Sequence, residues 1–301
     1  MTVHNKFTLS GLGRRQVLGL LAAPLFERLA QAETFPHRIA AIDWAMLETA
    51  MALGITPIAA TELIQFRKDS VEPLVPNNVA DLGLRGSPNF ELLYLLKPDL
   101  ILISPFYTRY QQQLDAIAPT MSLPFYVKGE PPFAKALAAV PALGERLGRN
   151  AQATDVLRTV EQSLPVMRGQ LSAYANRPSY VINIGDSRHF RAFGSDSMFG
   201  DILMRLGLPN AWREGSRFTF AAPVPLETLA ENPDARIVVV SDVPVEARSG
   251  LRRSLIWNAL EPVKNKRLVM LDNINPYGGV TAGMRFARLL AEALLANEDA
   301  L

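Results

Sequence analysis

Short aliphatic runs that alternate with helical segments constrain the fold of this chain more than any other feature. Each run is rich in Val, Ile, Leu or Ala and is bounded by turn residues, which is typical of buried β-strands. The runs are RIAAID (38–43), TPIAAT (56–61), DLILIS (99–104), SYVINIG (179–185), RIVVVSD (236–242) and RLVMLD (267–272). Helices are predicted in AMLETAMALG, NFELLYLLKP, SMFGDILMRLG and TAGMRFARLLAEALLAN. This alternation predicts an α/β fold with mostly parallel sheets covered by helices.

Two phrases of sequence recur at separations near half the chain length. LLKPDLILIS (95–104) is echoed by LAENPDARIVVVS (229–241), and AMALGITP (50–57) is echoed by LMRLGLPN (203–210). A chain of 301 residues also exceeds what one hydrophobic core comfortably holds. The sequence therefore predicts two lobes of similar build.

A helical segment is predicted between the two lobes. Apolar residues recur at helical spacing through residues 150–175, and Pro165 within this segment is expected to kink the helix. We therefore expect lobes at 33–149 and 176–301, joined by one long helix. Such a connection favours a largely preformed cleft between the lobes.

The first 32 residues have the features of an export leader. Arg14 and Arg15 precede an apolar stretch at 17–26, and the segment ends in Ala-Gln-Ala. A positive region, a short apolar region and an A-x-A site indicate a secretory signal, and the paired arginines indicate the twin-arginine route. We expect cleavage after Ala32 and a periplasmic location. The alternative, an amphipathic first helix of a cytosolic protein, does not explain the A-x-A site.

Composition excludes several function classes. The leader holds four basic side chains and one acidic side chain, so the rest of the chain is close to neutral and has no basic footprint for nucleic acid. The chain has no cysteine, which rules out disulfides, thiolate metal sites and lipoprotein modification. Only His37 and His189 follow the leader, which argues against a His-rich zinc site. We expect neither a cofactor nor a bound structural metal.

Catalytic motifs are absent from the sequence. No G-x-S-x-G elbow, H-E-x-x-H motif or phosphate loop occurs. His189 has no obvious nucleophile beside it in the sequence. An exported α/β hydrolase that uses Ser104 or Ser241 stays an alternative, although no elbow glycines flank either serine.

Aromatic residues and arginines follow the predicted strands. Ligands of open α/β sheets bind beyond the carboxyl ends of the strands, so this placement favours a binding cleft. The residues are Trp44, Arg85, Phe106, Tyr107, Tyr110, Arg191, Arg217, Phe218 and Tyr277.

The chain resembles the periplasmic iron–siderophore binding proteins of ABC importers, and within them the ferric-hydroxamate-binding type. The resemblance runs over essentially the whole length. It is carried by RIAAIDW, LGITPIA, DLGLRGSPNFELL, KPDLILIS, SRHFRAFGSDSMFGDIL, LGLPNAW and PYGGVTAGMRF. It implies two Rossmann-like lobes joined by a single long helix, with a shallow aromatic ligand cleft between them.

By this resemblance, Arg85 reaches the oxygen shell around the iron, Tyr107 also bonds the chelate, and Tyr277 is a pocket aromatic. An arginine fork offers several donors in one plane, which suits an oxygen-rich chelate. The iron is saturated by the siderophore, so no protein ligand to the metal is expected. The remaining expected ligand-binding residues are Trp44, Ile103, Arg191, Arg217, Phe218, Thr219 and Asn275.

The chain departs from the pattern of its relatives in ways that bear on the ligand. Ile103, Thr219 and Asn275 stand where a hydroxamate-binding relative has tryptophans, and Arg191 and Arg217 replace uncharged side chains. We therefore expect a smaller and more anionic siderophore, such as a citrate-based dihydroxamate or an α-hydroxycarboxylate. The alternative is that both arginines point to solvent.

The resemblance also implies delivery of the ligand to a membrane permease driven by a cytoplasmic ATPase, by a monomeric binding protein. One surface acid per lobe is expected to dock on the permease. Glu227 is the candidate in the second lobe, and Asp115 is the candidate in the first, because the expected position itself holds Gln112. Haem or cobalamin are alternative ligands that the same fold could bind.

Overall fold

The computed structural model describes residues 1–2, 35–215 and 223–296. The expected leader, apart from its first two residues, lies outside the described residues, as do Arg217, Phe218 and Thr219. Pro36–Leu301 is one compact unit that holds both sheets of the protein. The lobe boundaries taken from the sequence stay predictions.

Ten β-strands lie in the described residues, and they include all six strands predicted from the sequence. They are β1 (Ile39–Ala41), β2 (Ala59–Ala60), β3 (Ala80–Asp81), β4 (Leu100–Ile103), β5 (Thr120–Ser122), β6 (Ser179–Asn183), β7 (His189–Ala192), β8 (Val224–Pro225), β9 (Arg236–Val240) and β10 (Leu268–Leu271). The four strands without a sequence prediction are β3, β5, β7 and β8. None of them lies in an aliphatic run, whereas β2, which is just as short, lies within TPIAAT, so the sequence pattern does not reveal these strands.

Eleven α-helices lie in the same described ranges, and they include the five predicted from the sequence, one of which is the connecting helix. They are α1 (Trp44–Ala52), α2 (Leu63–Ser70), α3 (Phe90–Leu96), α4 (Gln111–Asp115), α5 (Phe133–Arg146), α6 (Asn150–Gln170), α7 (Met198–Arg205), α8 (Val245–Arg253), α9 (Leu255–Ala259), α10 (Glu261–Lys264) and α11 (Val280–Leu295). Three short 3₁₀ segments add Pro105–Tyr110, Ser172–Asn176 and Leu226–Glu231. No helix in the described residues is both long and apolar enough to span a bilayer.

The first sheet is entirely parallel, and its strand order is β3-β2-β1-β4-β5. The second sheet has the order β10-β9-β6-β7-β8, in which β10, β9 and β6 are parallel, β7 is antiparallel to β6, and β8 is antiparallel to β7. The expectation of mostly parallel sheets is therefore confirmed. The antiparallel edge was not predicted.

The predicted connecting helix is present as α6, which runs from Asn150 to Gln170 and continues through Pro165. The 3₁₀ segment Ser172–Asn176 follows it and leads into the second sheet. Val160 of α6 is buried, and Leu157 and Leu164 pack against the core from the same helix. The helix is therefore part of the packed structure rather than a free linker.

One hydrophobic cluster contacts a face of each sheet. Strand alternation divides the side chains, so that Ile39 and Ala41 of β1 enter this cluster, as do Val238 and Val240 of β9. Ala40 and Ile237, their neighbours in sequence, enter separate clusters on the opposite faces. Each sheet is thus buried on both faces, and one face of each contributes to the same helix-covered core. This shared core opposes large movement between the two sheets.

A buried carboxylate connects helix α1 to the loop that follows β10. Glu48 has no exposed surface, and its carboxylate accepts hydrogen bonds from Asn275 Nδ2 at 2.7 Å and from Gly279 N at 2.8 Å. Burial raises the pKa of Glu48 to about 7, and this outweighs the opposite effect of these two donors. A contact between distant parts of the chain therefore depends on a carboxyl group that titrates near neutral pH.

The pKa of Glu48 predicts that the protein loses stability as pH rises from about 5 to 8. The folded state keeps this proton up to about pH 7, whereas an unfolded glutamate releases it near 4.5. Unfolding in this window therefore releases a proton, and the free energy of unfolding falls as pH increases, by on the order of 3 kcal/mol in total. Urea unfolding of the full chain at several pH values measures this slope.

The variant Glu48→Gln should flatten the slope, because glutamine does not titrate. Glu91→Gln, which removes an exposed carboxylate on α3, is the matched control and should keep the slope of the parent. A parent protein that is equally stable at pH 5 and pH 8 would contradict this assignment.

Candidate ligand-binding site

A cavity of about 340 Å³ opens where the strands of the first sheet end. The segments that follow all five parallel strands contribute to its wall, as expected for a binding site at the carboxyl edge of an α/β sheet. The lining residues are Asp43, Trp44, Glu62, Arg85, Gly86, Ser104, Pro105, Phe106, Tyr107, Arg109, Phe125, Tyr126 and Tyr277.

A second cavity of about 470 Å³ adjoins the first and shares Trp44, Arg85 and Tyr277 with it. Its other walls include Asn183 at the end of β6 and Ser241 after β9, together with residues that follow β10. The carboxyl ends of both sheets therefore face one cleft. The first cavity is mainly aromatic, whereas the second is richer in polar side chains.

Arg85 is held on three sides. Its backbone N–H donates to Glu62 Oε1 at 3.0 Å, and its Nε donates to Glu62 Oε2 at 2.7 Å. The guanidinium lies over the Trp44 ring, 3.8 Å from the ring centre. Gly83, two residues earlier, has φ +73°, a left-handed conformation that glycine adopts without strain. The turn before Arg85 thus requires a glycine, and the arginine is fixed at the cavity wall.

Trp44 forms a rigid support beneath this arginine. It is 3 % exposed, and its indole Nε1 donates to Thr61 O at 3.0 Å. Phe66 packs edge-on against the ring with a centroid distance of 5.2 Å. Both the position and the plane of the indole are therefore set before any ligand arrives.

Asp43 caps helix α1 and lines the same cavity. Its Oδ1 accepts the backbone N–H of Met46 at 3.1 Å, as an N-cap aspartate does. Burial raises the pKa of Asp43, while hydrogen bonds from Met46 and Ser104 oppose this rise. These partners give Asp43 a structural role at the helix start.

Tyr107 and Tyr277 approach the cavity from two different parts of the chain. Burial raises the pKa of both phenols, and the nearby charge of Arg85 acts in the opposite direction on each. The Tyr277 ring also packs edge-on against Tyr126, with a centroid distance of 5.9 Å. Arg85, Tyr107 and Tyr277 therefore line the same cavity, and their role in ligand binding stays a prediction.

Two of the expected ligand residues require correction. Ile103 has no exposed surface because strand alternation turns it into the hydrophobic cluster with Ala40 and Leu82. Asn275 is also completely buried: its amide Nδ2 donates to Glu48, and its Oδ1 accepts the N–H of Tyr277 at 3.0 Å. Neither side chain has a surface with which to contact a ligand, and Asn275 instead orients Tyr277.

Arg191 lies on β7 and is exposed, outside the linings of both cavities. Its positive charge opposes the rise in the pKa of Tyr277 that burial causes. Arg217, Phe218 and Thr219 lie outside the described residues.

The sequence analysis missed several residues of the first cavity. Glu62 directly follows the predicted strand TPIAAT, so the rule that selected Trp44 could have selected Glu62 as well. Phe125 and Tyr126 follow β5, a strand that was not predicted. Tyr126 holds the loop that carries Tyr277, because its hydroxyl donates to Gly278 O at 2.7 Å.

The two expected docking acids lie on the surface. Glu227 is exposed on the 3₁₀ segment Leu226–Glu231. Asp115 is exposed at the end of α4, and its Oδ1 accepts the Thr120 hydroxyl at 2.7 Å.

The groups that a serine hydrolase needs are not brought together in residues 35–215 and 223–296. Ser104 lines the first cavity and Ser241 the second, but neither cavity wall includes His37 or His189. The His189 Nδ1 instead lies 3.2 Å from Asp186. Within the same residues, no group of three or more His, Asp or Glu side chains could hold a metal ion.

Comparisons with known proteins agree with this arrangement. A family model described as "Periplasmic binding protein" matches residues 39–274. The chain is 30% identical to the iron(3+)-hydroxamate-binding protein FhuD of Escherichia coli K12, over 94% of this chain and 97% of that protein. It is 26% identical to the achromobactin-binding periplasmic protein of Dickeya dadantii, over 82% of each chain.

Among solved structures, the chain is similar to the siderophore-binding protein FhuD of Vibrio cholerae bound to Fe³⁺–Desferal. The TM-score is 0.79 at 24% sequence identity, and the match covers 86% of this chain and 98% of that one. At this level of identity the similarity demonstrates the shared fold of two α/β sheets with helices.

The loop that carries Tyr277 yields a prediction about Gly278. A Cβ at this position would overlap the Glu48 carboxylate and the Cβ of Ala282. Gly278→Ala should therefore lower the free energy of unfolding by about 1 to 3 kcal/mol, the usual cost of overpacking. Urea unfolding of the full chain measures this difference.

Gly169→Ala is the matched control, because Gly169 lies in helix α6 and nothing would contact its added Cβ within 4 Å. This substitution should stabilise the protein by about 0.4 to 1 kcal/mol. Equal effects of the two substitutions would show that Gly278 is not packed as described.

Proposed function

Because the chain belongs to the periplasmic binding protein family, we propose that it binds an intact ferric siderophore and delivers it to an ABC permease for iron uptake. The relatives named above bind a ferric hydroxamate or achromobactin by their own descriptions. The observation that carries the proposal is Arg85, held over Trp44 at the wall of an aromatic cavity beside Tyr107 and Tyr277.

The chemistry of the cavity suits a chelate whose iron is already saturated. A hydroxamate or carboxylate chelate presents oxygens with partial negative charge, and Arg85 and the phenol of Tyr107 can donate hydrogen bonds to them. The aromatic rings can cover the apolar backbone of the siderophore. Iron is the cargo in this proposal, and no side chain needs to bind it directly.

The proposed ligand is a hydroxamate or a citrate-based siderophore with hydroxamate or carboxylate groups. Arg191 supports an anionic component, because its charge already acts on Tyr277 at the cavity wall. Arg217 would add a second positive charge if it also faces the cleft. In this proposal the protein catalyses no reaction and works as a monomer without a cofactor.

Export is part of the same proposal. A leader with paired Arg14 and Arg15 would direct the protein to the periplasm by the twin-arginine route, and cleavage after Ala32 would release the mature protein. A periplasmic location places the protein where it can meet a permease in the inner membrane.

The proposal predicts that Arg85→Ala weakens binding of a ferric siderophore. Hydrogen bonds to charged groups contribute about 1.5 to 3 kcal/mol, so the dissociation constant should increase by about 10- to 150-fold. Fluorescence titration of the full chain with Fe³⁺–Desferal and Fe³⁺–citrate measures it. Arg158→Ala, which removes an exposed arginine on α6, is the control and should bind as the parent does.

Haem, cobalamin and a ferric catecholate should be included in the same titration. A parent protein that binds haem or cobalamin but no ferric chelate would replace the proposed ligand with one of these alternatives. Hydrolysis of a generic ester that disappears in Ser104→Ala or Ser241→Ala would replace binding with catalysis.

Glu227→Lys should separate docking from ligand binding. Reversal of this exposed charge is expected to reduce siderophore-dependent iron uptake by cells, since an acid that pairs with permease arginines would become repulsive. Binding of Fe³⁺–Desferal by the purified variant should equal that of the parent. Glu246→Lys on α8 is the control, and uptake by Glu227→Lys at the parental rate would contradict the docking role.

A further inference from the structure

Glu62 adopts a backbone conformation that its local surroundings do not explain. It lies before the first residue of α2 with φ 50° and ψ 42°, in the left-handed region that is unfavourable for a side chain of this size. Residues at this position normally cap the helix with a short side chain. Glu62 makes no such bond, and Asp81 accepts the Leu63 N–H at 3.1 Å instead.

The Glu62 carboxylate is used entirely on Arg85. One oxygen accepts the backbone N–H and the other accepts Nε, so the base and the guanidinium end of the arginine side chain are both fixed. Trp44 supports the guanidinium face at 3.8 Å. The two Nη groups of Arg85 donate no hydrogen bond within residues 35–215 and 223–296, and the arginine lines both cavities.

The same contact sets the charge of this part of the cleft. The Arg85 and Glu62 side chains are 26 % and 19 % exposed, so solvent screens their charges only in part. The carboxylate cancels the charge of the guanidinium while the Nη donors stay available. The oxygens of a ligand can therefore accept hydrogen bonds from the Nη groups of Arg85, although the Arg85–Glu62 pair carries no net charge.

We propose that Glu62 is a positioning and specificity-determining residue, which orients Arg85 toward the ligand and favours a ferric chelate of low net charge over a polyanionic one. The inference rests on the proposed function and deepens it, because it names the property of the chelate that this pair selects. Arg191 lies outside both cavity linings. Its charge can attract a chelate with an anionic group without changing the preference for low net charge that the Arg85–Glu62 pair creates.

A double-mutant cycle tests whether Glu62 acts through Arg85. Fluorescence titration with Fe³⁺–Desferal is performed on the parent, Glu62→Gln, Arg85→Ala and the double variant, each as the full chain. Releasing a fixed side chain should weaken binding by between about 2- and 12-fold in Glu62→Gln. The double variant should bind as weakly as Arg85→Ala alone. An equal loss in both backgrounds, or no loss in Glu62→Gln, overturns the positioning role.

Glu62→Gly separates this role from a role in folding. Glycine adopts the observed φ and ψ without strain, so this variant should fold with a melting temperature close to that of the parent and still bind Fe³⁺–Desferal as weakly as Glu62→Gln. Glu261→Gln, at an exposed glutamate paired with Lys264, should match the parent in both measurements. Full binding by a folded Glu62→Gly variant overturns the proposal.

The charge preference is tested with a second probe, Fe³⁺–citrate. In Glu62→Gln the positive charge of Arg85 is no longer cancelled, so the ratio of the dissociation constants should shift toward the anionic citrate chelate. This shift should shrink in high salt. An unchanged ratio overturns the specificity role. If Arg85→Ala binds every chelate as the parent does, the proposed function itself fails, and this outcome is distinct from a failure at Glu62 alone.

Discussion

The contact between Glu48 and the loop after β10 supports the geometry on which the rest of the cleft depends. Glu48 lies on the helix that follows β1, whereas Asn275 and Gly279 belong to the segment that precedes α11. Tyr126 bonds the same loop through Gly278 O. Because the loop is held from the first-sheet side, Tyr277 is fixed in the lining of the cavity that Arg85 also lines, and this wall does not need to form when a ligand binds.

Further contacts reinforce this connection around the cleft. Asn273 donates to Lys68 O at 3.0 Å, and Arg285 donates to Glu72 at 2.6 Å, so the last turn of α2 and Glu72, two residues after its end, also contact the segment around α11. Together with the shared hydrophobic cluster, these contacts oppose opening of the two sheets relative to each other. Selectivity then has to come from side chains already in place, such as Arg85 and its partners, rather than from closure around the ligand.

Much of the fold could be predicted from local patterns, and the misses have a common physical cause. Runs such as RIVVVSD hold consecutive aliphatic residues that identify a buried strand, whereas β3 is an Ala-Asp pair outside any aliphatic run. The rule that ligands bind beyond strand ends selected Trp44, Arg85 and Tyr107, all of which line the first cavity. The same rule also selected Arg191, which lies outside both cavity linings because it stands within β7, a strand that the sequence pattern does not reveal.

The sequence by itself determined the strands in aliphatic runs, the main amphipathic helices and the placement of aromatic and basic residues near strand ends, since each depends on neighbours along the chain. The tertiary structure decided the pairing of Arg85 with Glu62, 23 residues away, and of Glu48 with Asn275, 227 residues away. Nothing in the sequence around Glu48 or Glu62 identifies its partner, because a hydrogen bond between distant residues exists only once the sheets have packed. For the same reason, only the fold showed that Asn275 is a buried support for Tyr277 rather than a surface for the ligand.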